Sequence, residues 1–239
     1  MKDKHVFFNP FRLISPRLDS EASRIEKFLE KPPTEVTCLE EGLLVMCGKL
    51  IEMTGLLHKT LVVTDQDKIN RCETLGREIH EEEKTLTGDL VCSPSTSGEL
   101  LKAVVLFPGR LERVGGLLES IINVSRIKAK EGIPFSDKAQ DELDKLFGLF
   151  TDVLKNFRDV LVTRNRVLLE HLINQGKQVA QMTTDFALAH EDRLLEGLCS
   201  PKASSLYLDI LDSIKGANEH IMRMCHGLLK IADTHSAAA

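Results

Sequence analysis

The histidine–acid and cysteine positions are the first places to look for chemistry. His190-Glu191 opens like a zinc-protease helix motif, but the position that must hold the second histidine is Leu194; His80-Glu81 fails the same way at Lys84. The six cysteines, at Cys38, Cys47, Cys72, Cys92, Cys199 and Cys225, form no C-x-x-C pair. Cys47 and Cys72 fall among apolar residues at helical spacing and read as buried free thiols. No glycine-rich phosphate loop, dinucleotide fingerprint or G-x-S-x-G elbow occurs. Gly109-Arg110 and Gly115-Gly116 lie inside a helical pattern, where small residues serve close packing. No constellation of nucleophile, base and oxyanion donor emerges, and a non-enzymatic protein is expected. One chemical pattern remains open: acids at i and i+4 of a helix share a face, and two such faces brought together can hold a hard cation through oxygens.

The elements that would position such faces are helices. Of 239 residues, 42% are apolar but only 5% aromatic, with no Trp and one Tyr, so the core must be aliphatic. The net charge is −5, with Lys and Arg interspersed among acids, which argues against nucleic acid as a partner. No stretch approaches the roughly 20 apolar residues of a membrane span, and a soluble chain is expected.

Residues 1–33 read as an irregular lead-in broken by Pro10, Pro16 and Pro32-Pro33, with a short helix over Asp19–Leu29. Phe7, Phe8 and Phe11 either pack on the rest of the chain or form a docking arm. A first helix is expected from Thr34, with Leu39, Leu43, Met46, Leu50, Met53 and Leu57 inward. A second starts at Thr64, with Asp67 as a capping-box partner and Ile69, Cys72, Ile79, Leu86 and Leu90 inward. A third starts at Ser97, carries Leu111, Val114, Leu118 and Ile121, and is kinked at Pro108. Gly132 and Pro134 mark the midpoint. Ser136 then caps a fourth helix, a fifth runs from about Thr163 to Glu196, and Ser200-Pro201 opens a sixth. Gly197 suits the left-handed end of helix five. The halves read as a repeat: Leu111–Gly116 matches Ile214–Glu219, and His80-Glu81-Glu82 echoes His190-Glu191-Asp192. No run alternates with a period of two. The expectation is an all-α chain of two tandem three-helix bundles, six long antiparallel helices, over 34–132 and 133–239. The aromatic stripe Leu143, Phe147, Phe150, Leu154, Phe157 is the face expected to support a homodimer.

From His190 to His220 the order Arg-Leu, Glu-Gly, Ser-Pro, Tyr-Leu-Asp-Ile-Leu, then an acid and a histidine resembles the last helical hairpin of the PhoU family. The branch it is most similar to is the cytoplasmic tail of sodium–phosphate cotransporters. Leu111-Glu112-Arg113-Val114-Gly115 resembles the same family's third helix. The resemblance implies two PhoU-like bundles and a cytoplasmic accessory or regulatory role in phosphate uptake and phosphate homeostasis. The chain would act in trans on a membrane phosphate transporter, at times peripheral to the inner face. It also implies acid motifs on the second and third helices of each half, and here each is incomplete. Glu112 is kept but its closing partner is Gly116; Glu219 is kept, followed by His220, but its opening partner is Lys215. Glu73 is kept opposite Ile69, and helix five has Val179 and Thr183. The implied metal ligands reduce to Glu73, Glu112 and Glu219. With so few carboxylates the expectation is no cluster and, at most, one weakly held divalent ion on Glu112 with Glu73. A metal-binding bundle unrelated to transport and a structural helical adaptor are the alternative classes.

Overall fold

Apolar residues at three- and four-residue steps wind into six helices in a computed structural model of the chain, which describes residues 34–63, 65–92 and 104–237. They are α1 Thr34–Val62, α2 Gln66–Cys92, α3 Phe107–Glu131, α4 Asp137–Thr163, α5 Arg166–Leu195 and α6 Pro201–Ala237. Among the described residues there is no strand. By its internal contacts the chain divides into 1–38 and Leu39–Ala239; of the first, Thr34–Cys38 form the opening of α1. Apart from Thr34–Cys38, the residues expected to form two halves, 34–132 and 133–239, lie in the second unit. The lead-in features expected at Phe7, Phe8, Phe11 and Asp19–Leu29 lie outside the described residues, as do Thr64 and Ser97.

Local chemistry sets the ends. Ser136 Oγ accepts from Ala139 N (3.2 Å) to open α4, and Ser200 Oγ accepts from Ala203 N (3.2 Å) with Pro201 at the first helical position. After α5, Gly197 takes φ 72°; its N–H reaches Leu194 O (3.1 Å) and that of Leu198 reaches Arg193 O (2.9 Å), a closed C-terminal cap. Three expected boundaries are corrected. Asp65 caps α2, accepting from the backbone N–H groups of Asp67 (3.0 Å) and Lys68 (3.3 Å), so Asp67 sits inside the helix as a first-turn acid. Helix five starts at Arg166, not Thr163: α4 continues to Thr163, Arg164 turns left-handed at φ 50°, and Asn165 Oδ1 accepts from Val167 N and Leu168 N. At Pro108 the helical pattern is interrupted rather than bent: Val104 is helical, Val105 and Leu106 form a turn, and α3 begins at Phe107 with Pro108 in its first turn, where a missing N–H is tolerated.

Glu40 near the start of α1 pairs with Arg164 just past α4, while His58 near the end of α1 meets Asp144 near the start of α4 (2.6 Å); α1 and α4 are antiparallel. Likewise Glu131 at the end of α3 pairs with Lys202 at the start of α6 (2.8 Å), so α3 and α6 run antiparallel along each other. Around these two seams α2 packs on α3, and α5 packs on α4 and α6. The predicted inward positions from Leu39 to Leu57 are all buried, and so are Leu206, Ile210, Ile214, Ala217 and Ile221 along α6. Each such aliphatic side chain contributes about 1.5–3 kcal/mol on leaving water. The aromatic stripe of α4 is buried too: Phe147 stacks on His58 (5.3 Å between centroids) and Phe157 meets Phe107 (6.3 Å). That stripe faces inward within one chain, so it offers no free surface for the expected homodimer.

Candidate functional site

A groove of about 730 Å³ runs between α2 and α3 with Lys49 of α1 at its side. It forms because the stripe Ile69–Cys72–Ile79 turns α2 inward on one face and leaves its acids outward on the other. Lys49 Nζ reaches Glu78 Oε2 (3.5 Å) and Glu82 Oε2 (3.9 Å). His80 Nδ1 faces Glu112 Oε1 at 3.4 Å, bridging the two helices, and Glu73 pairs with Arg126. Glu119 is the acid left over: among the described residues it has no hydrogen-bond or ion-pair partner. Its carboxyl, though solvent-exposed, is pushed above the usual range, first by partial desolvation and then by the nearby charges of Glu112 and Glu73, against the opposing charges of His80 and Arg77. The hydroxyls of Thr74 and Thr85 donate to carbonyls one turn back, on Asn70 and Glu81, so neither is set against His80 as a nucleophile.

Gly76 makes room for this arrangement. A Cβ there would stand 1.8 Å from Glu119 Oε1. The second half builds the same slot, with Gly176 on α5 under Met222 of α6, whose Sδ lies 2.0 Å from the corresponding Cβ position. In the register that matches Leu111 with Ile214, Glu119 and Met222 are counterparts. One slot therefore holds a carboxylate and the other a thioether. This pairing also corrects the expected echo of His80 and His190: His80 lies midway along α2, His190 in the last two turns of α5.

The three acids named from sequence are placed unequally. Glu112 lines the first-half groove, Glu73 lies outside its lining, and both are close enough to raise Glu119. Glu219 is on α6 and 3.9 Å from Arg223. Beside it, Nδ1 of His220 is buried without a partner, and its pKa is held down by burial and then by Arg223, Arg113 and Arg110. Such cationic surroundings oppose a metal on Glu219 and His220. Among the described residues no three His, Cys, Asp or Glu side chains converge to hold a metal. The donor set of the groove thus fits a metal poorly, with Glu73 already neutralised by Arg126. Glu119, which sequence reasoning did not single out, is the groove acid without a hydrogen-bond or ion-pair partner among the described residues. The signal available was Gly76, a glycine inside a helical pattern.

A second constellation lies where α5 and α6 join α4. Glu142 of α4, 3% exposed, takes a bidentate pair from Arg193 (Nη1–Oε1 2.9 Å, Nη2–Oε2 2.7 Å) and a hydrogen bond from the Tyr207 hydroxyl (2.7 Å). His190 stacks on the Tyr207 ring at 4.5 Å, with its Nε2 buried and unpartnered. The residues that carried the sequence resemblance, Arg193 and Tyr207, thus clamp the last hairpin to α4. Their partner Glu142 was missed because it reads as one more acid in Asp-Glu-Leu-Asp. Cys47, Cys72 and Cys225 are free and buried, and burial pushes the Cys47 and Cys225 thiols up to about 12. The buried-thiol reading of Cys47 and Cys72 holds.

Two solved structures share this fold. One is PhoU from Pseudomonas aeruginosa, with a TM-score of 0.76 and 13% identity over 84% of this chain and 98% of that one. The other is the phosphate transport system regulatory protein PhoU from Streptococcus pneumoniae, with a TM-score of 0.69 and 14% identity over 80% of this chain and 91% of that one. At these identities the likeness is one of fold. No family model and no curated protein matches the sequence.

Proposed function

We propose that this chain is a non-enzymatic regulator of phosphate uptake, acting from the cytoplasm on a membrane phosphate transporter of the sodium–phosphate kind. The observation that carries the reading is the six-helix match to two PhoU structures, one named a regulatory protein of a phosphate transport system, over at least four fifths of the chain. The Arg193–Glu142–Tyr207 clamp supports it, because the residues that resemble that family have a shared structural task here. The described helices include none long and apolar enough to cross a membrane, so contact with a transporter would be peripheral. A homodimer, also part of this reading, would have to pair through a surface other than the α4 stripe.

The groove between α2 and α3 is where we place regulatory binding, with Glu119 as the acid there that has no ion-pair partner among the described residues. Any divalent ion on Glu112 with Glu73 is sub-stoichiometric at most, because Arg126 already engages Glu73; a metal bundle unrelated to transport is the competing class. Elemental analysis of protein purified without chelator, beside a Glu73→Ala, Glu112→Ala variant, separates them. Sub-stoichiometric metal that the variant loses fits the regulator, while more than one tightly held metal per chain favours the metal bundle. The transport reading is tested by crosslinking the chain to detergent-solubilised sodium–phosphate transporter. A crosslinked pair is expected, and its absence at saturating protein contradicts the proposal.

A further inference from the structure

Where α5 turns into α6, three leucines stand in solvent: Leu188 is 56% exposed, Leu195 87% and Leu198 67%. Single exposed leucines are ordinary, but three at one tip form a surface that a folded chain normally covers. Leu188 and Leu195 are two turns apart on one face of α5, about 10 Å along the axis. Glu191 and Asp192 lie between them on that face, and Glu196 follows; all three are exposed, and none has an ion-pair partner among the described residues. Arg193, the one cation of this turn, is turned inward and taken up by Glu142, so it does not neutralise them. The tip is closed by the Gly197 cap and Pro201 and is joined to α4 by the buried Arg193–Glu142 pair.

We propose that this tip docks an amphipathic helix of a protein partner, one with apolar residues two turns apart and Lys or Arg between them. The leucines supply the apolar contact and the carboxylates the charge complementarity that selects a basic helix. A second copy of the chain would bring the same acids against these, and an anionic lipid surface would repel them. This surface is separate from the groove of α2 and α3, and because the probe is a peptide, its failure leaves the transport reading standing.

The test is fluorescence-anisotropy titration of the full chain with an 18-residue Leu/Lys helix, beside a scrambled peptide of the same composition that has no apolar face. Expected is binding of the amphipathic peptide alone. Leu188→Gln, Leu195→Gln, Leu198→Gln should weaken it by about tenfold or more. Glu191→Gln, Asp192→Asn, Glu196→Gln should weaken it severalfold and flatten its salt dependence. Asp159→Asn, which removes an exposed acid near the far end of α4 from Glu142, should leave it unchanged. Equal binding by all variants, or equal binding of the scrambled peptide, overturns the proposal. So does a leucine variant whose effect is loss of self-association in sedimentation, or of binding to vesicles containing phosphatidylserine.

Discussion

The carboxylate of Glu119 lies directly across Gly76, so close that a methyl group on Gly76 would meet Glu119 Oε1 at 1.8 Å. The obstructing atom is the far end of a flexible side chain, so Glu119 can give way. Gly76→Ala should therefore leave the protein as stable or make it more stable by about 0.4–1 kcal/mol, since alanine restricts the unfolded chain and suits a helix interior. It should also release the Glu119 carboxyl toward its ordinary pKa, followed by carboxyl NMR. A large fall in Tm would show that Glu119 is locked where it lies. The sign of the pH effect follows from the raised pKa: the protonated form is favoured in the fold, so its stability contribution is present at acid pH and lost as pH rises past the carboxyl's folded value. Thermal melts of Glu119→Gln should accordingly show a larger gain over the parent at pH 7 than at pH 4. An equal gain at both would remove the assigned desolvation.

The clamp allows a sharper test. Removing one member of a buried ion pair strands the other, at a cost of about 3–5 kcal/mol, whereas replacing both with apolar groups costs far less. Arg193→Met and Glu142→Leu should each lower stability by that order, and the double variant by distinctly less than their sum. Tyr207→Phe, which removes one hydrogen bond to a charged group, should cost about 1.5–3 kcal/mol. Urea unfolding in a double-mutant cycle checks all three. Strict additivity would mean that the pair is not coupled.

Two histidines with lowered pKa values should destabilise the fold at acid pH. His190 is held below its ordinary value by burial and then by Arg193, and His220 by burial and then by three arginines. A histidine with a depressed folded pKa binds fewer protons folded than unfolded, so stability is full above about 6.5 and falls as pH drops below it. Melts between pH 7.5 and 5.5 should show this decline, and His190→Gln should make it shallower. A decline unchanged in that variant would place the acid sensitivity elsewhere.

The sequence made the helices legible because a period of 3.6 in Leu, Ile, Val and Phe has few other solutions, and Ser136, Ser200, Gly132 and Gly197 each act at the helix end where their chemistry suggested. It misled at Thr163, which resembles a cap, because the left-handed Arg164 shifts the real cap to Asn165. Pro108 misled for a related reason: a proline reads alike as a kink or as a first-turn residue until the helix start is known. The candidate site was half legible. Glu73 and Glu112 could be named by resemblance, but Glu119 is distinguished from other exposed acids only by what lies under it. Glu142 is distinguished only by Arg193 and Tyr207, which are distant in sequence and converge through packing.

The most direct measurement is radiolabelled phosphate uptake in cells that carry a sodium–phosphate transporter, with and without this chain, under phosphate limitation and repletion. The regulatory account expects uptake to depend on the chain, to change with phosphate supply only when it is present, and to respond to Glu119→Gln in a protein that remains folded. Uptake that is identical with and without the chain in both conditions, with the transporter expressed equally, would contradict it.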